Sequence, residues 1–211
     1  MDWLPSGGSM RLPRFVRPGI LTHPWIPASL HGVAPRVIEG QGWWDRQRKA
    51  AYAMNDWCCW ACGMDAAFAE PRPGLEAHEV YAYDFGRREA TLREVVALCP
   101  ACHQFIHMGR LWALFQEGKL PLEGVARVLL RGLGILERAG LQPWWQTEMV
   151  YRVVVLGEAS TLVVDELEAM GRIPERQPGS WRLLHGGRRW VRGPGGKPIE
   201  EAGKAPGSDP E

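Results

Sequence analysis

The sequence predicts an α+β protein in which two strands and a helix are stapled together by a metal ion. Three observations lead there. Cys59-Trp60-Ala61-Cys62-Gly63 and Cys99-Pro100-Ala101-Cys102 form two C-x-x-C pairs, 36 residues apart, in a chain of 211 residues with five cysteines. Between the pairs, residues 75–84 and 92–98 mix apolar and polar side chains as strands do, joined by a loop at 85–91 that carries Gly86 and Arg87-Arg88. After the second pair, residues 103–115 offer Phe105, Ile106, Leu111, Trp112, Leu114 and Phe115 for burial on a helix.

Each element has its reason. Two intervening residues form a tight turn that lets two thiolates converge on one ion, and a tetrahedral four-cysteine zinc site needs two such knuckles. Cys58 offers a competing C-x-x-x-C with Cys62, but Cys59 makes the compact knuckle, with Gly63 able to supply a positive φ. The alternative is two isolated pairs, buried or redox-active. With zinc at Cys59, Cys62, Cys99 and Cys102, the base of the helix is tied to the segment before the first strand.

The composition sets bounds. Apolar residues at 45% and charged residues at 23% are ordinary for a soluble globular chain. A net charge of +1 gives no global attraction to nucleic acid, so such binding must come from local patches. Arg outnumbers Lys 21 to 4, which suits bidentate phosphate contacts but also follows from a GC-rich genome. Four of the five cysteines in knuckles fit a reducing, cytoplasmic setting rather than a disulfide framework. No apolar run approaches the ~20 residues of a membrane span, and no signal peptide is expected at the N-terminus.

The succession C-x-x-C, Leu75-Glu76-Ala77-His78, Ala97-Leu98-Cys99-Pro100-Ala101-Cys102-His103, His107 resembles the HNH endonuclease family, in its branch with a four-cysteine zinc. The likeness covers residues 43–110. His78-Glu79-Val80-Tyr81-Ala82-Tyr83-Asp84 with His107-Met108-Gly109-Arg110 is similar to a bacterial subset in which a His-Glu pair replaces His-His or Asp-His. The resemblance implies a ββα-metal core that holds one divalent ion (Mg, Mn, Ni or Zn) against a scissile phosphate. By position, His78 on the first strand and His103 and His107 on the helix match the ligands. Two departures stand out: Glu79 occupies the place of the general-base histidine, and Glu94 lies near that of the middle asparagine.

The residues themselves support an ion independently. His103 and His107 are four apart and lie about 40° apart on one helix face. Neutral imidazoles suit zinc, nickel or manganese, and a third from the facing strand leaves positions open for water and phosphate. The bland alternative is that His107 caps the helix and His103 supports the cysteine site. In a regular strand His78 and Glu79 point to opposite faces, so both reach one ion only if the strand is bulged. A free carboxylate near ~4 is also a weak base unless burial raises it. Asp84 shares the parity of His78 and is the reserve carboxylate.

The rest divides into four segments. Residues 1–42, broken by Pro13, Pro18, Pro24, Pro27 and Pro35, read as an extended arm packed through Phe15, Ile20, Leu21, Trp25 and Ile26. Residues 43–118 hold the zinc-containing unit, preceded by a helix over 46–55 with Asp45 as N-cap. Residues 119–192 bring an amphipathic helix over 121–138, two further helices over 145–156 (where Val153-Val154-Val155 leaves a strand open) and 161–170, and a hairpin whose strands flank Gly186-Gly187. Gly132 and Gly134 weaken the first of these helices by up to ~1 kcal/mol each unless they allow close packing. Residues 193–211 read as a disordered tail.

Candidate nucleic-acid contacts are Arg46, Arg48 and Lys49 on the first helix, Arg87 and Arg88 in the loop, and Arg188, Arg189 and Arg192 on the hairpin, where residues 172–192 carry a local +5. Solvated faces are the plain alternative. Two functions compete. One is a metal-dependent endonuclease, acting on DNA, with Glu79 as base and Arg110 steadying the phosphate. The other is a catalytically inactive zinc module that binds nucleic acid or, through its C-terminal helices, a protein partner.

Overall fold

The structure is a computed structural model that describes residues 10–24, 26–143 and 180–201. Chain order brings two helices first, α1 (Pro35–Glu39) and α2 (Gln41–Met54), then two strands, β1 (Glu76–Asp84) and β2 (Glu89–Leu98). Three helices follow, α3 (Pro100–Ile106), α4 (Met108–Gln116) and α5 (Leu122–Arg138), and then β3 (Arg182–His185), β4 (Arg188–Arg192) and β5 (Pro198–Glu200). The five strands form one sheet in the order β1-β2-β3-β4-β5, so the fold is mixed α+β.

The strand pair at the centre is antiparallel, with His78 opposite Val96 and Glu79 opposite Val95. Its register slips between Val80 and Tyr81, where the partners pass from Glu94 to Leu92 and leave Arg93 as the extra residue. β2 starts earlier than the expected loop allows. Arg88 turns at φ 56° and Asp84 Oδ1 accepts the Arg87 N–H at 2.9 Å, so Glu89 already pairs with Asp84. β3 joins β2 in parallel, and the hairpin turns at Gly186-Gly187, both with positive φ, as their pairing predicts.

Two apolar clusters hold the sheet. At the end of the strand pair nearest the cysteines, Val96 and Leu98 pack with Phe105 and Ile106 of α3, Leu111 of α4 and Leu129 and Leu136 of α5. At the other end, Tyr81 and Ala90 pack with Leu30 and Val33 of the arm and with Trp181 and Leu183. Ile20 and Leu21 anchor the arm in the first cluster; Trp25 lies outside the described residues. The Arg17 guanidinium grips Glu94 at 2.9 Å and lies 5.6 Å from the Trp60 ring, so Glu94 ties the arm to β2.

Several boundaries differ from expectation. The arm contains α1 and short turns rather than a purely extended chain. α2 begins at Gln41 because Gly40, at φ 81°, parts it from α1; Asp45 therefore sits within the helix, accepting from Gln41 and Arg48 instead of capping. The expected helix over 103–115 is two helices, broken at His107 (φ −92°, ψ 57°). Residues 193–201 are ordered: Gly193 donates to Lys197 O across a turn, and Val191 pairs with Ile199. The helices expected over 145–156 and 161–170 lie outside the described residues, as do residues 202–211.

Candidate metal centre

The first centre is built from the two knuckles. Cys59 and Cys62 bracket a turn closed by the Gly63 N–H on Cys59 O at 2.8 Å, with Gly63 at φ 76°. Cys99 is the N-cap of α3, where Pro100 suits the first helical position, and Cys102 lies one turn on. The Trp60 N–H on Ala97 O (2.8 Å) locks one knuckle to the strand that leads into the other. The four Sγ atoms lie within 4.8 Å of one another, with Cys62 and Cys99 3.8 Å apart, a set able to hold a metal ion such as zinc. Hydrogen bonds from neighbouring thiols, that of Cys102 first, hold Cys62 and Cys99 below the ordinary thiol range. Arg131 of α5 brings its guanidinium to 3.9 Å from Cys62 Sγ, a cation beside a thiolate cluster. Cys58 points elsewhere: its Sγ meets Arg11 O and Asp56 O, each at 3.6 Å.

The second centre is formed by His78, His103 and His107, whose ligand atoms also lie within 4.8 Å of one another. His107 follows α3, yet its N–H still bonds to His103 O at 3.1 Å, so the last turn keeps the two rings adjacent, with centroids 4.5 Å apart. His78 Nδ1 is 3.1 Å from His107 Nε2, while His78 Nε2 is buried without a partner among the described residues. Burial first, and then the neighbouring histidines, push both rings down, His78 well below its usual range and His107 to about 3. Both are therefore neutral at pH 7, the state in which imidazole ligates. Glu76, one turn of the pleat before His78, hydrogen-bonds His103 Nδ1 and also pairs with Arg72. That leaves His103 Nε2 for an ion, in the carboxylate–histidine arrangement that fixes a ligand's tautomer.

Glu79 occupies the other side of β1. Its carboxylate is buried and pairs with the Arg36 guanidinium at 3.2 Å. Burial pushes its pKa up, against the opposing pull of Arg36. The bulge falls two residues later and on β2, so it does not turn Glu79 toward His78. A cavity of about 250 Å³ nonetheless has Arg36, Glu79, Tyr81 and His107 in its wall. β1 lies at one edge of the sheet, and Glu79 and Tyr81, two apart on the same face, reach that opening, whereas His78 on the other face does not line it. Asp84 is exposed at the far end of β1 and holds the Arg87 turn.

The remaining candidates are placed as follows. Arg110 is exposed on the first turn of α4, and its charge contributes to lowering His107. Arg46 and Lys49 are exposed on α2, while Arg48 pairs with Asp45 at 2.7 Å. Arg87 and Arg88 close the β1–β2 turn. On the hairpin, Arg188 faces Glu200 at 3.3 Å, Arg189 faces Glu89 at 3.7 Å, and Arg192 donates to Ala28 O at 3.5 Å. The local +5 is thus offset by carboxylates from outside the counted window. Three residues of the centre escaped the sequence reading: Arg36, Glu76 and Tyr81. Glu76 alone had a signal, being two residues before His78 and hence on its face.

No family model, no curated protein and no solved structure matches this chain. Among the described residues, no helix is long and apolar enough to cross a membrane.

Proposed function

We propose that this protein is an HNH-type endonuclease that hydrolyses phosphodiester bonds of nucleic acid, with a structural zinc at Cys59, Cys62, Cys99 and Cys102. The observation that carries the reading is the convergence of His78, His103 and His107 from a strand and a helix end onto one point. The donor set fits a divalent ion: two of its rings are held neutral by burial, the third is oriented by Glu76, and His78 Nδ1 faces His107 Nε2 at 3.1 Å. A divalent ion bound there supplies Lewis acidity to a phosphoryl oxygen.

The chain's own groups provide the rest. Glu79 opens onto the cavity that His107 also lines, and accepts the proton of the attacking water. Its burial makes it a stronger base than a free carboxylate. Arg110, exposed beside His107, steadies the flanking phosphate backbone.

The test is nicking of plasmid DNA with added Mg²⁺, Mn²⁺ or Ni²⁺, comparing the parent with His78→Ala, His107→Ala and Glu79→Gln. Cleavage is expected in the parent and lost by about 100-fold or more in each variant, the usual scale for a lost base or ligand. Loss in the histidine variants alone moves the base elsewhere. A parent with no metal-dependent cleavage of DNA or RNA overturns the reading in favour of a zinc-stapled binding module.

A further inference from the structure

The four thiols of the cysteine cluster differ in cover. Cys59, Cys99 and Cys102 are buried, whereas Cys62 is only partly so. Four thiolates carry more negative charge than one zinc ion neutralises, and burial makes the excess costly. A thiolate ligand that solvent can reach is also where a chelator or an alkylating agent first attacks such a site.

The least covered of the four has a cation against it. Arg131 Nη2 donates to Cys62 Sγ at 3.9 Å. Its Nη1 lies 3.9 Å from the Glu70 carboxylate, and Glu70 O accepts the Ala101 N–H at 3.1 Å, between Cys99 and Cys102. One guanidinium from α5 therefore touches the first knuckle directly and the second through Glu70. Glu70 is 67% exposed and Arg131 25%, so water screens the carboxylate contact more than it screens the cluster. Burial pulls the Arg131 pKa down, but the hydrogen bond to Cys62 and the charges of Cys99, Cys62 and Cys102 raise it above its ordinary value.

We propose that Arg131 is a positioning residue for the zinc, whose guanidinium holds the Cys62 thiolate on the ion and makes that sulfur less reactive. An N–H donated to a metal-bound thiolate draws electron density from sulfur, leaving it a poorer nucleophile and a weaker electron donor to the metal. The inference rests on zinc at the four cysteines and is independent of the nuclease chemistry at the histidines.

The test uses the full chain with its zinc and, separately, with Co²⁺ in place of zinc. The probe is iodoacetamide, which is neutral and so is not itself drawn to a guanidinium, with the alkylated cysteines identified by peptide mass spectrometry. Arg131→Gln is expected to speed alkylation of Cys62 by about ten-fold or more, the scale on which a ligand's outer partner acts, with Cys62 labelled ahead of Cys59, Cys99 and Cys102. Arg131→Lys keeps the charge and is expected to recover part of the protection. In the Co²⁺ form, the thiolate-to-metal charge-transfer band is expected to move to lower energy in Arg131→Gln, which a loss of packing alone does not produce. Labelling of all four cysteines together in Arg131→Gln makes the side chain a packing element and overturns the proposal, as does an unchanged Cys62 rate. A parent that holds neither zinc nor Co²⁺ overturns the zinc reading and this inference with it.

Discussion

Gly132 of α5 lies flat against the ring of Phe105 in α3: a Cβ at Gly132 would meet Phe105 Cδ2 at 2.1 Å and Cγ at 2.4 Å. Phe105 is 1% exposed and packed on all sides, so it cannot step back. The glycine is what lets α5 close on α3 and bring Arg131 to the cysteine cluster.

Gly132→Ala is therefore expected to destabilise the protein by about 1–3 kcal/mol through overpacking, despite the better helix propensity of Ala. Gly134→Ala supplies the contrast, because its Cβ would meet nothing nearer than Arg138 Nη1 at 3.4 Å. It is expected to stabilise by up to ~1 kcal/mol. Urea unfolding of the two variants beside the parent reads both signs; equal effects would remove the packing argument.

The thiol cluster predicts about one tightly held zinc per chain in protein purified without added metal. The double variant Cys99→Ala, Cys102→Ala is expected to lose it, together with the native near-UV circular dichroism signal, because such metal binding is folding free energy. Cys58→Ala is expected to keep its zinc, since Cys58 Sγ turns to Arg11 O and Asp56 O. Elemental analysis that finds zinc in the double variant, or none in Cys58→Ala, would reassign the ligands.

Glu76 is expected to act through His103. Glu76→Gln keeps the shape but loses the negative charge at Nδ1, and should weaken the divalent ion at the histidines by about 10–100-fold. The same change should leave the zinc content untouched. Isothermal titration with Ni²⁺ measures the first and elemental analysis the second; an unchanged Ni²⁺ affinity would leave Glu76 a purely structural strand residue.

Asp65 predicts an acid-sensitive lock on the arm. Burial pushes its carboxyl up, but the Arg11 guanidinium and the N–H groups of Ala67 and Arg11 together pull it below its usual value. A carboxyl lowered in the folded state adds stability that is fully present above the unfolded value of ~4 and is lost as pH falls through the folded one. Asp65→Asn is expected to cost about 1–2 kcal/mol at pH 7, a figure kept low because Arg11 is 43% exposed. Thermal melts from pH 7 to 3 should show that difference shrinking below pH ~4. A difference independent of pH would mean that the carboxylate charge contributes nothing.

What could be read from the sequence follows the range of each interaction. The knuckles, the strand pair and the Gly186-Gly187 hairpin declare themselves within a few residues, and all are present. The convergence of His103 and His107 was legible from their spacing, although the helix breaks at His107. Arg36 was not, because its partner Glu79 lies 43 residues away. Nor was the neutralisation of the hairpin arginines, whose partners Glu89 and Glu200 fall outside any local charge count. Residues 193–201 read as a tail because Gly-Pro-Gly-Gly composition serves tight turns and loose chains equally well.

The parallel pairing of β2 with β3 places Ala90 beside Leu183, partners more than ninety positions apart. During synthesis, both groups of candidate metal ligands among the described residues emerge by residue 107, while the wall of the cavity needs Leu183. Such long-range pairings form late, after loop closure has been offset by other contacts. A nascent chain therefore completes both groups of candidate ligands before its pocket has a floor. During that interval β2 presents an unpaired edge at Glu89–Thr91, the place where a second strand from another chain would add if release were delayed.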